Sequence, residues 1–259
     1  MLERVPLGRE ITQYPITQSP NHLITQYPMP IITLDPTHAS AAARLHIAGQ
    51  PNTFLTSLGP EVLTTFYRAL PQSPTGFGFT ALADTVADTT VQQSKIENLS
   101  WQDPKSKMIV GFISATTSTG QLFLQLGTRY LPAFLPPLLR RFAQRPGLLL
   151  HCMQTVFYPL LQRAHAGKGA DGSMPLPTAE LLSIMVEPAW RSQGVGAQLL
   201  DSLVAECRAR KLGALDVTVA ADNAGAQRFY ARHGFVEQHR FTLYGRPMVS
   251  YRKHLTLRA

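Results

Sequence analysis

Arg191-Ser192-Gln193-Gly194-Val195-Gly196-Ala197 follows an apolar run at residues 179–186 and opens a segment with Val195, Leu199, Leu200, Leu203, Val204 and Cys207 at helical spacing. A strand, a glycine-bearing turn and a helix start, in that order, make an anion site. The first N–H groups of the helix lack partners, and the positive end of its dipole points at whatever occupies the turn. Gly194 and Gly196 carry no Cβ, so phosphate oxygens can approach the backbone, and Arg191 can add a charge-assisted contact. The turn is not a P-loop, because no Gly-Lys-Ser/Thr follows. Nor is it a dinucleotide fingerprint, since Leu199 occupies the place of the third glycine. A GxG pair alone is also what many strand-to-helix turns use for geometry.

The elements that must position this turn are legible downstream. Residues 214–219 read as a strand, residues 224–232 as a helix with Gly234 as its left-handed C′ residue, and residues 235–241 and 248–253 as strands that close the sheet. Upstream, residues 43–47 read as a first strand. An apolar pattern from Leu55 to Leu70 reads as a helix whose main part opens at Gly59-Pro60. Residues 76–83 and 108–116 read as two β runs joined by a long polar loop. Residues 131–144 and 148–164 read as two apolar helical pieces inside an insertion over about 121–170, with a linker at 167–177. The expected fold class is α/β (α+β), with a mixed, mostly antiparallel central sheet flanked by helices. Residues 1–40, where ITQYP occurs twice among closely spaced prolines, are expected to be a disordered low-complexity extension before a domain at 41–259.

Two segments together carry a family resemblance. Residues 186–197, Val-Glu-Pro-Ala-Trp-Arg-Ser-Gln-Gly-Val-Gly-Ala, resemble motif A of the GCN5-related N-acetyltransferase (GNAT) superfamily, Arg/Gln-x-x-Gly-x-Gly/Ala. Residues 223–235, Asn-Ala-Gly-Ala-Gln-Arg-Phe-Tyr-Ala-Arg-His-Gly-Phe, resemble its motif B. The resemblance is close over roughly 178–253 and holds only in outline for 43–116.

The resemblance implies acetyl-CoA as co-substrate and no metal. It puts the pyrophosphate on Arg191, Ser192, Gln193, Gly194, Val195 and Gly196. It lays the pantetheine arm along the strand end at Met185 and Val186, where one N–H polarises the thioester carbonyl. Asn223 would contact the lower cofactor arm, with a helix N-cap as its plain structural role. Tyr230 would be the acid that protonates the departing thiolate, against a plain role as a packing aromatic. Glu180, at the entrance of the motif A strand, would be the base that deprotonates the amine, against a structural carboxylate. Glu187 reads as a solvated surface acid. His233 and His239 lack metal spacing, and Cys207 reads as core.

Composition narrows the classes further. The 259 residues are 44% hydrophobic and 15% charged, enough to bury a full core and unlike a disordered or fibrous chain. Two cysteines, neither in a CxxC or CxxH pattern, argue against a disulfide framework or a zinc site and suit a reducing cytoplasm. No signal peptide or transmembrane segment is expected. The net charge of +8 resides in residues 104–170, which hold eight bases and no acid. Such a stripe is a solvated basic face, a substrate wall, or a surface for anions. No recognition-helix motif accompanies it, which argues against nucleic acid. Peripheral membrane contact and a homodimer stay open. The expected activity is transfer of an acetyl group to a primary amine of a small-molecule or peptide acceptor, directly in a ternary complex. The alternative is a non-catalytic acyl-CoA sensor or interaction module.

Overall fold

Alanine decides the first long element. The stretch Ala39–Gly49 contains five alanines and no strand-like alternation, and in the computed structural model it is helix α1. This corrects the strand expected at 43–47: Val- and Ile-type side chains, which favour a pleated surface, are nearly absent there. A tight turn at Pro36–His38 leads into α1, and Asp35 caps it by accepting from the Thr37 N–H at 2.8 Å. The structure describes residues 29–83, 107–147, 177–243 and 245–256.

The first strand, β1 (Ile31–Thr33), lies where a disordered extension was expected. It pairs antiparallel with β2 (Gly76–Ala83), and the buried Leu34 follows it into the core. Residues 29–40 therefore belong to the fold, while the repeat at 11–28 lies outside the described residues. The expected helix of residues 55–70 is divided. A single turn, α2 (Phe54–Ser57), precedes α3 (Pro60–Ala69), which opens at Gly59-Pro60 as its sequence demands.

β2 and β3 (Met108–Thr116) form the expected antiparallel pair. After β3 come α4 (Thr119–Arg129), which the sequence reading missed, and α5 (Leu131–Gln144), whose bounds it anticipated. Both are anchored by few buried residues, Leu122 and Leu126 on α4 and Phe134 on α5. The second expected helical piece (148–164) lies outside the described residues, as do the linker (167–177) and the polar loop (84–107) except for the last residue of each. The remaining elements are β4 (Thr178–Val186), α6 (Val195–Ala209), β5 (Ala214–Ala220), α7 (Ala224–Arg232), β6 (Val236–Leu243) and β7 (Arg246–His254).

The seven strands form one sheet in the order β1-β2-β3-β4-β5-β7-β6. Every pairing is antiparallel except β4 with β5. One face is covered by α6 and α7, whose Leu199, Leu200, Leu203 and Tyr230 pack on Leu181, Leu215, Val217 and Val249. The other is covered over β2–β4 by α1 and α3, through Ala42, Leu63, Tyr67 and Phe112.

A polar cluster sits inside that second layer. The Tyr67 hydroxyl lies 2.6 Å from His46 Nδ1 and donates to Ser183 Oγ at 3.1 Å, while His46 Nε2 has no partner among the described residues. Burial lowers the His46 pKa to about 4 from an ordinary 6.5. The unfolded chain then takes up a proton that the native state refuses. Stability is full above pH 6.5 and falls as pH drops toward 4, by about 3 kcal/mol. Half-buried His38, also lowered by burial, adds a loss of the same sign. Urea midpoints should fall between pH 7 and pH 4.5, and His46→Asn should remove most of that slope. A slope unchanged by the substitution would show that His46 does not carry it.

Candidate functional site

β4 and β5 are paired only at their beginnings. Thr178–Leu181 run alongside Ala214–Val217, and beyond those residues the two parallel strands have no common register. The sheet opens there into a slot with Leu182–Val186 on one side and Thr218–Ala220 on the other. A bulge sharpens the opening: Ser114 pairs with Ser183 and Ala115 with Leu181, so Leu182 is the extra residue.

Ladder parity decides which backbone groups face the slot. Glu187 N–H donates to Val110 C=O at 2.8 Å, and Gly111 faces Val186. Alternation then makes Met185 the hydrogen-bonded partner of Phe112, and turns the N–H and C=O of Ile184 and Val186 toward β5. Of the two strand-end residues expected to meet a ligand, Val186 therefore presents its backbone to the slot. Met185 spends its own on β3, and its side chain is buried against α1.

The turn beyond β4 has the conformation the glycines allow. Ser192 has φ 60° and Gly194 φ 81°, and α6 starts at Val195. Left-handed residues set among right-handed ones turn successive N–H groups toward one centre. A Cβ built on Gly194 would meet only Gln198 Nε2, at 3.9 Å, so the space above it is open. Gln193 donates from Nε2 to Ala189 C=O at 2.8 Å, and its Oε1 is buried without a partner among the described residues. Arg191 folds back, and its Nε donates to Val186 C=O at 3.0 Å. Glu187, expected to be a solvated acid, pairs with Arg44 of α1 at 3.0 Å and ties that helix to the turn.

Helix α7 closes the other side. Its Phe229 ring lies 3.5 Å from where a Gly196 Cβ would be, so the two motif helices meet at the turn. Tyr230 is 3% exposed, edge-on to Phe229 and Phe235, and burial pushes its phenol well above the usual range. It stays protonated at neutral pH and is a donor rather than an acceptor of protons. Asn223 is an N-cap: its Oδ1 accepts from Ala226 N–H at 3.0 Å. Gly234, at φ 78°, ends the helix as expected.

Glu180 stands at the closed end of the slot, where β4 and β5 are still paired. It accepts from Thr119 Oγ1, at the start of α4, at 2.5 Å. Burial raises its pKa, the Thr119 bond lowers it, and nearby Asp216 raises it again. The balance is upward. The sequence reading missed Asp216, Arg252 and Thr119. The polar positions of the alternating run Leu215-Asp216-Val217-Thr218-Val219 were the available signal. Cys207 is core, its thiol pushed up to about 12 chiefly by burial, and Cys152 lies outside the described residues. Among the described residues no cluster of three His, Cys, Asp or Glu could hold a metal, and no helix is long and apolar enough to cross a membrane.

The residues present suit an acyl-CoA: backbone of Ile184 and the Val186 N–H turned to the slot, and an uncovered turn at Gly194. Residues 161–235 match the acetyltransferase (GNAT) family model. Over 80 residues the chain is 34% identical to the [ribosomal protein bS18]-alanine N-acetyltransferase of Escherichia coli strain K12, covering 31% of this chain and 54% of that protein. The chain thus spans about half the length of the curated relatives it matches. Among solved structures, Arabidopsis thaliana NAA60 in complex with acetyl-CoA is similar with a TM-score of 0.52 at 11% identity, covering 88% of this chain and 99% of that one. An N-acetyltransferase from Staphylococcus aureus Mu50 is similar at 0.50 and 14%, covering 89% and 100%. At those identities the likeness concerns the fold.

Proposed function

We propose that the chain is an N-acetyltransferase, moving an acetyl group from acetyl-CoA to a primary amine by direct transfer in a ternary complex; the match of residues 161–235 to the acetyltransferase (GNAT) family model supports this reading. The observation that carries the reading is the slot between β4 and β5, with an uncovered glycine turn at its open end and Glu180 at its closed end. Acetyl-CoA supplies the activated acyl group as a thioester.

The chain's own residues do the rest. Arg191, Ser192, Gln193, Gly194, Val195 and Gly196 hold the pyrophosphate on backbone N–H groups and the α6 dipole. The Val186 N–H donates to the acyl oxygen, where charge develops in the transition state. Glu180 takes a proton from the acceptor ammonium, directly or through one water, as the amine nitrogen bonds to the acyl carbon. Tyr230 Oη gives its proton to the sulfur as the carbon–sulfur bond breaks, and the second proton lost by the nitrogen as the amide forms restores the phenol. Asn223 fixes the start of α7, and so the place of Tyr230, and its side chain borders the lower cofactor arm. The amine sits on the sheet face that carries Glu180, opposite α6.

The acceptor is a peptide or small-molecule amine. The Escherichia coli relative is by name an alanine N-acetyltransferase, so peptides with a free N-terminal alanine are the first to test, followed by lysine peptides and polyamines. With a working acceptor, double-reciprocal plots at several acetyl-CoA concentrations should intersect, as sequential binding requires. Parallel lines would point to an acyl-enzyme and overturn direct transfer.

A further inference from the structure

Glu180, Asp216 and Arg252 form one row across three strands. Glu180 is the partner of Asp216 in the parallel β4–β5 pairing, and Asp216 is the partner of Arg252 in the antiparallel β5–β7 pairing. Residues paired directly across a sheet project from the same face, with strands about 4.8 Å apart. Ala179, Leu181, Leu215, Val217 and Tyr251, neighbours of the three in sequence, turn into the core beneath α6, so the row lies on the opposite face.

Two carboxylates side by side oppose each other's ionisation, and the partly buried one holds its proton longer. A base placed there is harder to ionise unless the second charge is offset. Arg252 supplies the offset: its Nε donates to Asp216 Oδ1 at 2.7 Å and its Nη2 to Oδ2 at 2.8 Å, a bidentate pair that engages both oxygens. Among the described residues, the other elements packed against Glu180 bring no charge. Its β3 partner is Thr116, and α4 offers the Thr119 hydroxyl, with Arg129 eleven residues from Ser118 at the far end of that helix.

We propose that Arg252 is a positioning residue for Glu180 that acts through Asp216, holding both Asp216 oxygens toward β7 and offsetting their charge so that Glu180 can ionise at its working pH. Asp216 makes Glu180 a stronger base, and Arg252 sets how much stronger. The inference rests on the reading of Glu180 as the general base, and the experiment separates the two. The raised Arg252 pKa, caused first by its bond to Asp216, and the raised Glu180 pKa are in keeping with this arrangement.

The test uses the full chain with glutamate side-chain carboxyls labelled with carbon-13, the Glu180 signal being the one lost in Glu180→Gln. Its titration midpoint is read by NMR beside the acid limb of the kcat/KM profile. Arg252→Gln should raise the midpoint by about one pH unit, and Asp216→Asn should lower it. The double variant buries no unpaired charge and should match Asp216→Asn alone, because without Asp216 there is nothing for Arg252 to offset. A midpoint that ignores both substitutions overturns the proposal. So does an Arg252→Gln shift that persists undiminished when combined with Asp216→Asn, which would mean direct action on Glu180. If the midpoints move as expected but the rate limb does not follow, the row stands and Glu180 is not the base.

Discussion

Glu180→Gln is expected to lower kcat for amine acetylation by two to four orders of magnitude while leaving acetyl-CoA affinity within a few-fold of the parent, the usual scale for removing a positioned general base. Glutamine keeps the shape and can still accept from Thr119 Oγ1, so the fold and the start of α4 have no reason to change. What disappears is a carboxylate with a raised pKa, and with it the acid limb of the pH profile. In the parent, kcat/KM should climb as pH rises through the Glu180 ionisation, above the ordinary carboxylate value of 4.5. In Glu180→Gln that limb should vanish. Tyr230→Phe is the companion: the ring contacts with Phe229 and Phe235 survive and only the hydroxyl is lost. Leaving groups that need no proton, such as a low-pKa thiol, should be spared by Tyr230→Phe but not by Glu180→Gln. A protein that bound acetyl-CoA and showed no transfer in parent or variants would be a binding module instead.

The second large effect concerns the turn. Gly194→Asp combined with Gly196→Asp should weaken acetyl-CoA binding at least 100-fold by calorimetry, equivalent to about 3 kcal/mol. Carboxylates would stand where the pyrophosphate is expected, and their repulsion adds to the loss of space. Global unfolding does not explain such a result. A Cβ at Gly196 meets Phe229 at an ordinary 3.5 Å, and one at Gly194 finds open space. The positive φ of 81° at Gly194 costs an L-residue about 1 kcal/mol, which a carboxylate at the α6 N-terminus partly returns through the helix dipole. Thermal melts should stay within a few degrees of the parent. Unchanged affinity would move the anion site elsewhere.

How much of this was readable beforehand depends on the range of the interactions involved. The turn at 191–196, the α7 cap at Asn223 and the stop at Gly234 are local devices: each needs a residue type at a fixed offset from its neighbours, and each is where the sequence put it. The strands β2 to β5 announce themselves by apolar runs, because burial of one or both faces selects the residues one position at a time. Local propensity also explains the errors. β1 has only three residues and follows a proline-rich tract, so pairing with β2, and not its own composition, makes it a strand. The alanines and other small residues of Ala39–Gly49 gave α1 little periodic apolar signal, whereas α4 did carry Leu122 and Leu126 at helical spacing, a signal the reading passed over.

By itself the sequence determined the family motifs, the glycine turn after β4 and a mixed sheet. Tertiary structure alone decided what those parts face. The choice of Val186 over Met185 follows from hydrogen-bond parity with β3, and the bulge at Leu182 becomes apparent only against that strand. Glu180 and Asp216 are 36 residues apart, as are Asp216 and Arg252, and nothing in either segment encodes the other. They meet because hydrophobic burial beneath α6 fixes the register of β4, β5 and β7, and that register carries the polar residues on the opposite face into line.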